Sequence, residues 1–562
     1  MSSVKTNATS FTASTENTKT AVGPSITVKT ETAGKIGLFG AISIIIGAII
    51  GVGIFLKNQS VFRNNNGNPV GVLLSWGLVF LIAFATAFSY GEITRVRART
   101  ANSGLAGWSE RYVGYNFGRF LKIMYPFFYY AIYVFVLSLF FAESLYCINP
   151  NFINGDMPVI PGETSQNMWG LWGIGFGIAL IMLLTNWLNN FAVQKSMTFI
   201  SPLKFIPVLL VIVFGVWGGV QSNGGLFNPT NAGTFGPDDN KYNLQFSITG
   251  VFASLPAIMF AFDSFLIVGN VASNVKNPKK NIPLSIILSM VICGVFYFLV
   301  TISQLLCGYG NPYGIFQRIF GPDGLNNLAA LTAFKVIMSV FMAISLFGCV
   351  TSLSSAFMGS TQSAIDEGAI IGSVVMKRIG NKSRNKLTPG FIMSLIIISF
   401  WFLVFGILSA ILNTDQIFDG LSNIAVVLIF TVYGFVALMS VINRITHKVP
   451  TSEVAYQKGQ VPLAIIGTIG CFAVPLYQMI YVFIYQVAKA PTEIYNTWGL
   501  FYGTDANHMP IWIAALIFWG GAILFIGWPF LHDLILKGVN KNFKEPLLWQ
   551  KANVNKKIEV KK

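Results

Sequence analysis

Twelve stretches of this chain stay apolar for more than twenty residues each: 36–56, 70–91, 123–147, 169–189, 197–219, 248–270, 284–307, 330–358, 390–412, 418–441, 461–486 and 510–530. A helix needs about 20 such residues to cross a hydrocarbon layer roughly 30 Å thick, and every stretch reaches that length. A soluble fold has no means of covering so much apolar surface. Only 10% of residues are charged and 54% are hydrophobic, whereas a water-facing surface draws on roughly a quarter charged residues. The chain therefore reads as an all-α membrane protein with 12 transmembrane helices. Its 54 glycines and 49 phenylalanines suit helices packed closely in lipid.

The formal net charge of +16 would suit a nucleic-acid partner if it were clustered on one soluble face. It is instead sorted by loop. The two tails and the alternate loops on their side carry thirty Lys and Arg, among them Arg95, Arg111, Lys276, Lys280, Arg444 and Lys537. The opposite loops carry six: Lys57, Arg63, Lys241, Arg318, Lys335 and Lys489. That asymmetry follows the positive-inside rule. It predicts a multi-pass protein of the cell membrane with both termini cytoplasmic, whose basic charge meets anionic membrane lipids and not nucleic acid. Residues 1–34 are polar and rich in Ser and Thr, which predicts a disordered tail without a cleavable signal. A second, basic tail covers 536–562. The five cysteines lie in or beside apolar runs without ligand spacing, so no metal site and no cofactor is expected.

The first and sixth runs are interrupted at corresponding places. Each is followed by four more runs before the last two. Interrupted segments at matching positions of two halves are the mark of an inverted-repeat transporter and of its binding site. Two repeats of five helices predict a core over 35–445, discontinuous helices 1 and 6, and peripheral helices 11 and 12 over 446–535. In the first run the interruption is Gly47-Ala48-Ile49-Ile50-Gly51-Val52-Gly53-Ile54-Phe55. Its glycines suit either a close helix–helix contact or an unwound turn. Unwound backbone cannot face lipid, so it would line a cavity, with the N-terminus of the half-helix beyond it aimed at an anion such as a carboxylate.

The sixth run holds Phe260-Ala261-Phe262-Asp263-Ser264-Phe265. A carboxylate in mid-membrane costs roughly 2.5–3.5 kcal/mol, so Asp263 should either cap the second half-helix or face a ligand, a proton or a partner. Lys204, within Ser201-Pro202-Leu203-Lys204-Phe205-Ile206-Pro207, is open to three readings. Its ammonium snorkels, pairs as a fixed charge beside the broken helices, or gives up its proton. Glu143 closes the third span and is expected to reach the membrane interface.

With these residues in place the sequence resembles the amino acid–polyamine–organocation permeases. Gly51-Val52-Gly53-Ile54-Phe55 is similar to the family's Gly-Ser-Gly-Ile-Phe, with Val52 in place of Ser. Val275-Lys276-Asn277-Pro278, running on to Ile282-Pro283, is similar to its Glu-Val-Lys-Asn-Pro-x-x-x-Ile-Pro loop, with Asn274 in place of Glu. Tyr90-Gly91-Glu92 before a basic loop also fits. The resemblance covers roughly 35–445 and implies a leucine-transporter-like fold and secondary transport of amino acids by alternating access.

It further implies that the backbone of Ile49, Ile50, Gly51, Val52 and Gly53 holds the substrate α-carboxylate. Carbonyls near Phe260, Ala261, Phe262 and Asp263 would take the α-amino group, and Phe260 and Phe265 would shape the side-chain pocket. Lys204 would stand where relatives bind sodium, giving sodium-independent transport coupled to protons or to exchange. The phenylalanines favour a neutral amino acid, whereas Asp263 permits a cationic one. An enzyme would need a nucleophile, a metal or an acid–base pair in the membrane, and the three histidines, His447, His508 and His532, all fall at span ends or in loops.

Overall fold

A computed structural model describes residues 36–51, 53–96, 104–148, 168–236, 241–322, 324–412, 416–490 and 511–539. The expectations for residues 1–34, for 540–562, for Val52 and for His508 lie outside these residues, while 536–539, expected in the second tail, belong to the last helix. Eleven described helices are long and apolar enough to cross a membrane, and a bent pair of shorter helices makes a twelfth span. That pair is α1 (Leu38–Ile49) and α2 (Gly53–Asn64), set at 43° to each other. The second to fifth spans are α3 (Pro69–Ile93), then, after the short loop helix α4 (Gly104–Tyr112), α5 (Tyr115–Tyr146), α6 (Met168–Asn190) and α7 (Lys195–Gln221).

The sixth span is also broken. Helix α8 (Ile248–Phe262) stops at Asp263, and a short 3-10 helix, α9 (Ile267–Asn274), completes it. There follow α10 (Pro278–Cys307), the short α11 (Pro312–Phe320), α12 (Leu328–Glu367), the short α13 (Ser373–Lys382), α14 (Thr388–Ile411), α15 (Gly420–Thr446), α16 (Gln460–Lys489) and α17 (Ile511–Val539).

The packing carries the twofold relation of the halves. The first span lies on the seventh (α1 on α10) as the sixth lies on the second (α8 on α3), while the second pairs with the seventh and the third with the eighth. Five spans is an odd number, so the second half enters from the opposite face and the repeat is inverted. The eleventh span lies on α3 and α15, and the twelfth on α5.

The basic end of the bundle, bearing Lys276 and Arg444, is tied by ion pairs. Glu92 is wholly buried at the end of α3 and accepts from Arg444 Nη2 at 2.7 Å and from the Gln457 backbone N–H at 2.9 Å. Lys122 joins Glu110 at 2.6 Å and also Glu367, and Arg119 pairs with Asp533 on α17. The chain before α1 pairs with the chain after α9, through Ile36 N–H to Asn274 O and Lys276 N–H to Ile36 O, both at 2.8 Å. Glu143 departs from its expectation. It is 1% exposed, because α5 runs through the interior of the bundle and its end is covered.

Candidate functional site at the two helix breaks

The first break falls where the glycines predict it. The α1 ladder ends with Ile50 N–H on Ile46 O, Ile50 turns extended (φ −75°, ψ 95°), and α2 resumes at Gly53 with a widened π-type turn, Gly53–Lys57. Carbonyls that would have been paired within a continuous helix then need other donors. Lys204 is one of them: its Nζ lies 2.6 Å from Gly47 O, 2.9 Å from Ile50 O and 3.1 Å from Cys349 Sγ. Ser345 on α12 adds a hydroxyl to Ile50 O at 3.1 Å. Of the three readings of Lys204, the structure sets aside snorkelling: the side chain is fully buried and its nitrogen points into the break and not toward a membrane surface.

Both glycines of the break are in close contact. A Cβ on Gly51 would lie 2.9 Å from Cys349 Sγ, and one on Gly53 would lie 2.8 Å from the Ala261 Cα of the second break. Unwinding and close packing, two alternatives in the sequence, thus occur at the same residues.

At the second break Asp263 ends α8 in an extended conformation (φ −72°, ψ 178°), and Ser264 takes a left-handed one (φ 69°). Asp263 does not cap the second half-helix. Leu266 occupies that place, with no side-chain cap. Its carboxylate, 1% exposed, accepts instead from Tyr133 at 2.5 Å, Tyr129 at 2.8 Å and Tyr433 at 3.0 Å. Pro126 explains how α5 presents two of these hydroxyls. Lacking an N–H, it breaks the α-helical ladder, and the widened turn Tyr125–Tyr130 carries the helix past the break. The two breaks are joined by Tyr297 of α10, whose hydroxyl is 3.0 Å from Ile49 O and 3.1 Å from Ala261 O.

The phenylalanines expected to form one pocket diverge. Phe262, fully buried, packs on Trp76, Phe80 and Tyr297. Phe265, also fully buried, packs on Tyr90, Phe430 and Tyr433. Phe260 stacks on Tyr133 at 5.5 Å, with Lys57 Nζ 5.1 Å from its ring centroid. Lys57 also donates to Ser422 at 3.3 Å and to Asn423 at 3.2 Å on the tenth span. Just beyond Asp263 a small cavity of about 10 Å³ lies among Tyr125, Tyr129, Tyr130, Ser264, Asn270 and Tyr433.

Sequence reasoning counted Lys57 only among the loop charges, although a charge four residues into a half-helix was a readable signal. Tyr125, Tyr129 and Tyr133 repeat at four-residue spacing on one helix face, another readable signal. Tyr297 gave none.

The profile of the family described as amino acid permease covers residues 36–502. The chain belongs to the amino acid permease family. Among curated relatives, this permease is 24% identical to the serine/threonine exchanger SteT of Bacillus subtilis, over 58% of this chain and 66% of that one. It is 24% identical to the human cystine/glutamate transporter, over 56% and 57%. The match spans between 58% and 66% of the length of the first relatives. The solved structure of MhsT with L-phenylalanine aligns over 79% of this permease and 99% of that chain, at 15% identity and a TM-score of 0.47.

Proposed function

We propose that this permease carries amino acids across the cell membrane by alternating access, without sodium, with both termini in the cytoplasm. The observation that carries the reading is the Lys204 ammonium held by Gly47 O and Ile50 O. A fixed cation then fills the place among unwound carbonyls where a metal ion would otherwise be required. The backbone of Ile49, Ile50, Gly51, Val52 and Gly53 receives the substrate carboxylate, aided by the positive N-terminal end of α2. The carbonyls of Phe260, Ala261, Phe262 and Asp263 receive the α-amino group, and Phe260 bounds the side-chain space. Membrane lipids meet the basic end.

Coupling is to protons or to exchange with a second amino acid. Purified protein in proteoliposomes tests this by uptake of a labelled amino acid with sodium replaced by choline, and then with the pH gradient collapsed. Uptake that persists in choline is the expected result, and a strict sodium requirement refutes the fixed-charge role of Lys204.

A further inference from the structure

The Asp263 carboxyl group is buried at the second break, and among the described residues it enters no ion pair. The titratable groups on the elements packed there are phenols: Tyr125, Tyr129, Tyr130 and Tyr133 on α5, Tyr90 on α3, Tyr297 on α10 and Tyr433 on α15. Lys57 lies over the Phe260 ring and Lys204 at the first break, and neither bonds to the carboxyl group. Its two oxygens are unequally used. Oδ2 accepts from Tyr133 at 2.5 Å and from Tyr129 at 2.8 Å, whereas Oδ1 accepts from Tyr433 at 3.0 Å.

These phenols suit either charge state. A phenol oxygen both donates and accepts, and Tyr129 Oη lies 3.5 Å from Tyr433 Oη. With Asp263 ionised, all three hydroxyls donate to it. With a proton on Oδ1, that proton goes to Tyr433 Oη, Tyr433 turns its own to Tyr129 Oη, and Tyr129 and Tyr133 keep theirs on Oδ2. Every donor has an acceptor in both states, and no heavy atom moves. A lysine or arginine in place of a phenol only donates, and would hold the group ionised.

A route for the proton adjoins the carboxyl group. The cavity of about 10 Å³ beyond Asp263 is lined by Tyr129 and Tyr433, and also by Leu105 of α4, the loop helix of the basic end. That volume holds about one water. The Tyr125 hydroxyl lines the same cavity and is buried without a hydrogen-bond partner among the described residues, so a water there satisfies a group that the fold leaves open.

We infer that the Asp263 side chain is a proton-binding site, which exchanges its proton with the basic end through Tyr433, Tyr129 and one water beside Tyr125. On release the carboxyl proton passes to Tyr433 Oη while Tyr433 gives its own to the water. One proton leaves, one carboxylate remains, and no other residue changes charge. Bonds to a carboxylate are roughly twice as strong as those to a neutral acid, so protonation loosens the tie between the second break and the third and tenth spans. This rests on the transporter reading above and names the coupling ion of that same site.

The test uses the full chain in proteoliposomes with the membrane potential clamped by potassium and valinomycin. The probe is whichever of labelled serine, leucine, lysine or glutamate exchanges fastest against its own unlabelled form at equal pH. With one proton per substrate, an inward gradient of one pH unit should drive about tenfold accumulation in the wild type. Asp263→Asn should stay near onefold however long uptake runs, a ratio that does not depend on its rate. If that variant carries nothing, Tyr125→Phe decides. It should slow gradient-driven uptake about fivefold relative to exchange, and an unchanged ratio of the two rates overturns the inference.

Exchange without gradient-driven accumulation in the wild type overturns the inference and leaves the transporter reading standing. So does an Asp263→Asn variant that accumulates as the wild type does. If none of the four amino acids exchanges, the transporter reading itself fails, and the inference with it.

Discussion

The Tyr297 hydroxyl lies 3.0 Å from the Ile49 carbonyl oxygen, at the end of α1, and only 3.1 Å from the Ala261 oxygen, at the end of α8. One proton is thus shared between two carbonyls, one in each half of the inverted repeat, both of which lost helical partners when the helices broke. Tyr297→Phe keeps the ring packed between Trp76 and Phe262 and takes away only the donor. Each orphaned buried carbonyl costs about 1–3 kcal/mol. The expected outcome is a protein that still inserts, melts at a lower temperature, and shows an uptake rate reduced by more than its binding affinity. Wild-type melting and uptake in that variant would remove Tyr297 from the site.

Gly53 tests the contact between the breaks. Because any Cβ there would sit 2.8 Å from Ala261 Cα, the two half-helices must separate to accept a larger residue. Gly53→Val should lose uptake while eluting as a monodisperse species in detergent. Normal uptake would mean that the breaks need not touch.

Lys204 tests the fixed charge. Lys204→Met withdraws the donor from Gly47 O and Ile50 O, and uptake should stop. Lys204→Arg keeps the charge but needs more room. Gly348 faces the lysine so closely that a Cβ there would lie 2.7 Å from Lys204 Cε, so the arginine variant should retain little activity. Near-normal uptake by both variants would show that the ammonium is dispensable.

The basic end offers an independent stability test. Glu92 is wholly buried and takes two donors, of which Arg444 alone is charged. Arg444→Ala leaves a buried carboxylate with one backbone N–H, and breaking such a pair costs about 3–5 kcal/mol when fully buried, less here because Arg444 is partly exposed. Glu92→Gln should be milder than Arg444→Ala in thermal melts, and the reverse order would argue against the pair.

Orientation is tested by labelling. Single cysteines at Asn277 and Asn243, both exposed, should react with a membrane-impermeant reagent in opposite fashion in intact cells, Asn243→Cys readily and Asn277→Cys only after lysis. The reverse pattern would invert the topology.

The twelve spans, the two interruptions and the isolated charges Asp263 and Lys204 were all legible along the chain. Each is a local property: apolar length is set by consecutive residues, glycine weakens its own turn, and a charge in an apolar run must find compensation. Which compensation it finds is not local. Asp263 could cap a helix or bind a ligand until the fold placed tyrosines 130 to 170 positions away around it. Lys204 could snorkel until α1 broke at carbonyls 154 and 157 positions away. Phe260, Phe262 and Phe265 read as one apolar wall, yet the break at Asp263 and Ser264 turns them toward different neighbours. Hydrogen bonds and ring contacts depend on ångström-scale distances between helices remote in sequence, and only the packing of the two repeats sets those distances.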